Sequence, residues 1–394
     1  MMFARMTLQD VTGVDDACPV THGWSARARP FSRLEEILPL LEGLEASPFQ
    51  SPHWLSAWMD VFGGCPGVEC FLVTLESTNG VIALALPLVR RHEAGLRILE
   101  GPDFGVTDYT APLIRRAVVS QLPVGDELLK LIRTALPAAD LLRLNRLCPL
   151  VQGMVNPLYA EHWTQPNRMS GWRLPLPESW AEYYDRLSSR MRDKLGRNGR
   201  RFARAPATSI ALIQDVDAAL AALATLDALQ AGRIKDKGLD YHLNAPLHAA
   251  FYRRLVELGI ANGRTLMSEL RSENLMVAAN FAVRHGSELV YLRVANLFGE
   301  WGKMSPGLLA NEHLIREAQA AGVRVFDFGM GNYEYKRRFG AEETPLVDLV
   351  VPLSLKGWPA ALVWHAVRRL SRISLLRRLT GRAAVPCPRE QSDC

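Results

Sequence analysis

Two junctions near the end of the chain carry residue types suited to chemistry. The first is Ser305-Pro306-Gly307, set just before an apolar-periodic run of Leu308, Leu309, Leu314, Ile315 and Ala318 that ends at Gly322. Ser as N-cap, Pro at the first helical position and Gly past the far end punctuate a helix. First-turn amides have no intrahelical partner, and Gly307 has no side chain to hold a ligand away, so an anion such as phosphate is favoured there. The second junction is Asp327-Phe328-Gly329-Met330-Gly331-Asn332-Tyr333-Glu334-Tyr335-Lys336, followed by Arg337 and Arg338. Here a strand ends in a Gly-rich turn, and its flexible backbone lets two tyrosines and a basic run converge. The Asp-Phe-Gly triplet is not a kinase signal, because no Gly-rich loop with a strand lysine and no His-Arg-Asp precedes it. Gly329-x-Gly331 also lacks the third glycine of a dinucleotide fingerprint.

The elements that must position these residues are a strand at 289–294, the helix from 306 and a strand at 323–328. Three strands at 264–270, 275–284 and 289–294 lead into that helix and strand. The same order appears earlier: hairpin strands at 68–76 and 81–89 joined through Ser77-Thr78-Asn79-Gly80, a strand at 96–99, a helix at 125–136 and a strand at 139–147. A repeated unit of this length predicts two similar α/β domains packed together. The expected divisions are a loose arm at 1–28, an N-terminal domain at 29–173, a C-terminal domain at 174–355 carrying both junctions, and a basic tail at 356–394. Helices are also expected at 31–44, 179–203, 215–230 and 247–258.

The chain has 394 residues, 48% of them hydrophobic and 22% charged, which describes a globular protein. No run of about 18 apolar residues and no signal-peptide layout occurs, so a cytoplasmic location is expected. Six cysteines and nine histidines show no metal-ligand spacing. The net charge of +5 is segregated: residues 186–204 hold eight Arg/Lys against one Asp, and residues 356–382 hold seven against none. Local basic surfaces point to specific anionic partners. Arg197, Arg200 and Arg201 form either a solvated face or a clamp for phosphate or carboxylate groups. In the tail, Val363, Ala366, Val367, Leu370 and Ile373 fall on one helix face, and His365, Arg368, Arg369 and Arg372 on another. Packing on the body, docking on anionic lipid at the inner membrane face, and a solvated tail compete. Trp54 and Trp58, one turn apart, read either as a core seam or as substrate contacts, and Asp108 and Tyr109 lie in the loop at 101–109 between the strand at 96–99 and the helix at 125–136.

Phe49-Gln50-Ser51-Pro52 with Trp54 and Trp58, Ser305-Pro306-Gly307 before a helix, Phe326-Asp327-Phe328-Gly329-x-Gly331 and Tyr335-Lys336-Arg337 together resemble the CelD-like branch of the GNAT acyltransferases. That group is related to the FemAB peptidyltransferases. The resemblance covers roughly residues 30–355. It implies a tandem GNAT fold of two mixed-sheet α/β domains and transfer of an acyl group from acyl-CoA, without a metal, to an amine or hydroxyl of a sugar, polysaccharide precursor or peptide-like acceptor. It places the CoA pyrophosphate around Lys303, Ser305, Pro306, Gly307 and Leu308.

In the mechanism this suggests, the acceptor attacks the thioester directly while backbone amides at Arg293, Val294 and Ala295 hold the donor. Tyr335, or else Tyr333, protonates the leaving thiolate, because phenol and thiol acidities are close. Lys336 pairs with a phosphate or a developing oxyanion, and Asp327 or Glu269 accepts the amine proton. Arg197, Arg200, Arg201, Asp108, Tyr109 and Trp54 are the candidate substrate contacts. Two rivals are a FemAB-like transferase drawing on aminoacyl-tRNA and a non-catalytic accessory protein of a membrane polysaccharide synthase.

Overall fold

The computed structural model describes residues 23–236, 243 and 245–370. Its strands are β1 (Trp24–Phe31), β2 (Glu69–Ser77), β3 (Ile82–Glu93), β4 (Leu96–Glu100), β5 (Leu113–Ile114), β6 (Leu141–Leu147), β7 (Leu150–Val151), β8 (Met154–Val155), β9 (Thr164–Pro175), β10 (Thr208–Leu212), β11 (Thr265–Ser272), β12 (Leu275–His285), β13 (Glu288–Asn296), β14 (Val325–Met330) and β15 (Glu342–Pro352). Its helices are α1 (Leu38–Leu41), α2 (Pro52–Trp58), α3 (Asp126–Ala135), α4 (Trp180–Arg186), α5 (Ser189–Phe202), α6 (Val216–Asp236), α7 (Pro246–Gly259), α8 (Pro306–Ala320), α9 (Glu334–Arg338) and α10 (Gly357–Leu370).

One mixed sheet runs through the molecule in the order β1-β2-β3-β4-β6-β15-β9-β14-β13-β12-β11-β10, with β5 beside β3. The anticipated repeat is present: β2, β3 and β4 are antiparallel and β6 returns parallel to β4, just as β11, β12 and β13 are antiparallel and β14 returns parallel to β13. Helix α3 makes the first return and α8 the second. Both bury apolar positions on the sheet, Leu128, Leu129 and Ile132 in one case and Leu314, Ile315 and Ala318 in the other. Gly322, at φ +85°, ends α8, and the Val323 amide closes onto the Ala318 carbonyl at 3.0 Å.

The two halves exchange their closing strands. β9 follows the first half in sequence yet lies against β14 of the second, with Asp327 opposite Arg173, while β15 ends the second half and lies against β6 of the first. β9 and β15 pair with each other, which completes the sheet. The boundary expected at 173/174 therefore falls inside a strand.

Other expectations are corrected as well. Trp24–Ala28 belong to β1 rather than to an arm, and residues 1–22 lie outside the described residues. The helix expected at 31–44 is reduced to a 3-10 turn and the four-residue α1, broken around Pro39 and Gly43. The one expected at 179–203 splits because Ser188 caps a new helix, accepting from the Met191 amide at 3.2 Å. α6 runs on to Asp236, and Lys237 and Gly238 lie outside the described residues.

Cores lie on both sides of the second half-sheet. On one face α2, α6 and α7 bring Trp54, Trp58, Phe251 and Tyr252 over Phe281 and Val290. On the other, α5 and α8 bring Leu195, Phe202, Leu308 and Leu314 over Tyr291, Phe326 and Phe328.

Candidate active site

β13 and β14 stay together only over Glu288–Val290 and Val325–Asp327, after which β14 turns toward β9. A bulge at Leu292, which shifts the register from Ala282 opposite Tyr291 to Phe281 opposite Arg293, bends β13 at the point of divergence. A gap thus opens between the strand ends. The Leu297 amide bonds the Val277 carbonyl at 2.9 Å, and hydrogen-bonded pairs alternate along an antiparallel ladder. Val294 accordingly turns its N–H and C=O away from β12, toward the gap. The Gln230 side chain of α6 donates to that carbonyl at 2.7 Å.

The three donor-strand residues are neighbours with different roles. Arg293 sends its side chain under α6, bonding Gln230 at 3.0 Å, pairing with Asp227 and lying over the Tyr252 ring, and by the same alternation its backbone is directed at β12 rather than at the gap. Ala295 is buried in the core on the α6 face.

The start of α8 stands on the opposite face. Ser305 does not cap with its side chain as expected. It adopts a left-handed conformation, φ +45°, and its carbonyl accepts from the Leu308 amide at 2.9 Å. Pro306 has no N–H, so the Gly307 amide is the first-turn donor left to a ligand. Pro306, Gly307 and Leu308 are buried, while Lys303 is exposed and paired with Glu300 at 2.9 Å. Helix α5 packs on the 3-10 turn Trp301–Met304 and on α8, with Phe202 and Trp301 rings 6.1 Å apart. Arg197, Arg200 and Arg201 are exposed on this helix.

The Gly-rich turn works through steric permission. Gly329 has φ +67°, and a Cβ there would stand 2.7 Å from Asp108 Oδ2. Asp108, from the first half, approaches β14 closely and accepts from the Met330 amide at 3.3 Å. Lys336, 1% exposed, donates to the carbonyls of Gly329 (3.1 Å) and Met330 (2.7 Å) and lies 5.3 Å from the Tyr333 ring centre. Its first role is therefore to fix the turn. Tyr335 stacks on Tyr333 at 6.0 Å and meets Phe328 edge-on, placing both phenols on the α8 face.

Asp327 points to the other face. It accepts from Tyr109 Oη (2.9 Å) and from the Gly329 amide (2.7 Å), and Arg173 is 3.7 Å away. Arg173 also pairs with Glu288. Complete burial outweighs the guanidinium and raises the Asp327 carboxyl to about 6, and burial with the nearby carboxylates holds the Tyr109 phenol well above its usual range. Folded Asp327 thus keeps its proton to about pH 6, whereas the unfolded residue releases it near 3.8. Its contribution to stability is full below 3.8 and is lost as pH rises through about 6. Asp327→Asn should flatten that limb, seen by comparing urea unfolding of the two proteins at about pH 4 and about pH 7.

The remaining sequence candidates lie away from the gap. Glu269 sits two strands off on β11, paired with Arg271 at 3.0 Å, so it is not brought to Asp327. Trp54 is 0% exposed and meets Phe49 and Phe251 edge-on, which makes it a core residue and corrects its reading as a substrate contact. Arg173, Glu288 and Gln230 were not among the sequence candidates. The alternation Trp172-Arg173-Leu174 is the signal that could have shown a charge facing into a sheet.

Residues 189–337 match the family model described as Acetyltransferase (GNAT) domain. No curated protein matches the chain. Among solved structures, FemX superposes with a TM-score of 0.56 at 10% identity, covering 86% of this chain and 99% of that one. L-PGS from Bacillus licheniformis gives 0.48 at 13% identity, covering 86% and 95%. A tandem GNAT protein from the clavulanic acid biosynthesis pathway gives 0.41 at 11%, covering 84% and 99%. The chain has a tandem GNAT fold, and residues 189–337 are the part that matches the GNAT domain model.

Proposed function

We propose that the protein is an acyl-CoA-dependent acyltransferase that passes an acyl group directly to an amine of a sugar or peptide-like acceptor. The observation that carries this reading is the gap between β13 and β14, with the backbone of Val294 turned into it along one edge and the start of α8 at its mouth. The donor's pyrophosphate rests on the Gly307 amide, and Arg197, Arg200 and Arg201 pair with its outer phosphate groups. Bound acyl-CoA supplies the activated thioester. Tyr335, with Tyr333 beside it, protonates the thiolate from the α8 face. Asp327, kept near neutrality in acidity and bonded to Tyr109, takes the amine proton from the opposite face. Acid and base then stand on either side of the bond being exchanged. Asp108 and Tyr109 bring the first half of the chain to the acceptor side. The CelD-like signature residues favour a glycan-related acceptor.

Calorimetric titration with acetyl-CoA tests the reading. The wild-type protein should bind, Gly307→Glu should abolish binding, and the exposed double change Arg200→Ala with Arg201→Ala should weaken it about tenfold, since each exposed phosphate pair contributes roughly 0.7 kcal/mol. No binding by the wild-type protein would overturn it. The exposed arginine face of α5 favours a second reading in that event, an aminoacyl-tRNA donor, which would show steeply salt-dependent binding.

A further inference from the structure

Helix α10 lies across β15, β6 and β4, and its inner side is specified by contact. Ala361 packs on Ile98, Leu141 and Val350, with Trp364 beside them. His365 Nε2 stands 3.1 Å from the Val350 carbonyl, and its ring faces Trp163 at 6.2 Å. At the start of the helix a Cβ on Gly357 would stand 1.8 Å from the Asp140 carbonyl oxygen, so only glycine lets the helix sit this close.

This seating reverses the amphipathic expectation. His365, placed on the polar face by periodicity, is turned inward, while the apolar stripe faces outward. Leu362 is 59% exposed, Val363 63% and Val367 54%, flanked by Trp358 at 44% and Leu355 at 89%. A helix that already has an inner contact and still presents aliphatic side chains carries a second apolar surface that none of the described residues covers. Along the sequence the charge is of one sign: between 356 and 382 there are seven Lys/Arg and no acid.

We propose that the outer face of α10 docks on an anionic lipid surface, with Leu362, Val363 and Val367 entering the headgroup boundary and the acid-free basic sequence of 356–382 supplying the attraction to it. Charge complementarity selects this occupant. A protein partner would be matched by mixed polarity at the rim, whereas an anionic membrane attracts an acid-free basic segment and admits aliphatic and Trp side chains together. Among the described residues no helix is long and apolar enough to cross a membrane, so the contact is peripheral. The proposal stands independently of the acyltransferase reading.

Vesicle cosedimentation of the full chain tests it. Vesicles of phosphatidylcholine and phosphatidylglycerol in equal parts should retain the protein, those of phosphatidylcholine alone should not, and added salt should weaken retention. The triple change Leu362→Asp, Val363→Asp and Val367→Asp alters only the outer face. It should reduce retention at least tenfold while leaving the circular dichroism spectrum and the thermal midpoint of the protein unchanged. Equal retention of variant and wild type, equal retention on both vesicle types, or retention on neither would overturn the proposal. So would a dimer, seen by light scattering, that the triple change dissolves without any vesicle binding by the wild type, because the face would then belong to a second copy of the chain.

Discussion

Arg173→Met should lower the free energy of unfolding by about 3–5 kcal/mol at neutral pH, the cost of leaving buried carboxylates without their cation. Arg173 is 9% exposed and is flanked by Glu288, which is 3% exposed, and Asp327, also 3%. Burial raises both carboxyl groups above their usual range, so without the guanidinium each takes up a proton instead of standing charged in the core. The loss should therefore be larger at about pH 8 than at about pH 5. Urea unfolding across that range measures it. A loss that is small and independent of pH would mean that water reaches this cluster and that Arg173 is not what compensates its charge. The methionine keeps most of the volume, so a cavity does not enter the comparison.

Tyr335→Phe should reduce turnover by about a hundredfold, within the range that general acid catalysis supplies, while changing acetyl-CoA binding little. The substitution removes one hydroxyl and keeps the ring that meets Phe328 and stacks on Tyr333, so the local packing survives. Thiol release from acetyl-CoA, in the presence of whichever amine acceptor supports turnover, gives the rate, and calorimetry gives the binding. Retained turnover would take Tyr335 out of the mechanism and leave Tyr333, whose own Phe variant is then the comparison. A parallel loss of binding and turnover would assign Tyr335 to holding the donor instead.

The parts of this fold that repeat locally were legible in the sequence. The β-rich runs at 68–76 and 81–89, the Ser77–Gly80 turn, and the Pro306 and Gly322 that bound α8 all act within a few residues. β9 and β15 were not legible. Both lie inside the sheet, yet β9 carries Gln165, Asn167 and Arg173, and β15 contains Pro345 and Asp348, which read as loop. Their polar groups are satisfied only across the fold: Asp348 accepts from the Arg146 amide at 2.8 Å and from Asn167 at 2.7 Å. The site shows the same division. Tyr333, Tyr335 and Lys336 announce themselves in one short segment. Arg173 and Glu288 are 115 positions apart, and nothing local to either predicts their pairing. The orientation of α10 likewise follows from Gly357 against Asp140, a contact that helical periodicity does not record.

The exchange of β9 and β15 also fixes the order in which the molecule can be completed during synthesis. When the ribosome has made residues up to Pro175, the first half has its β1–β6 sheet, but the strand that belongs beside β6 is still some 170 residues away in the message. β9 must wait, without its neighbours, for β14 on one side and β15 on the other. The central seam therefore closes last, and it closes from the end of the chain. A ribosome stalled before residue 342 would leave two unpaired strand edges at the middle of the sheet, a template for other nascent chains. Release of the last strand is thus the step that covers both edges.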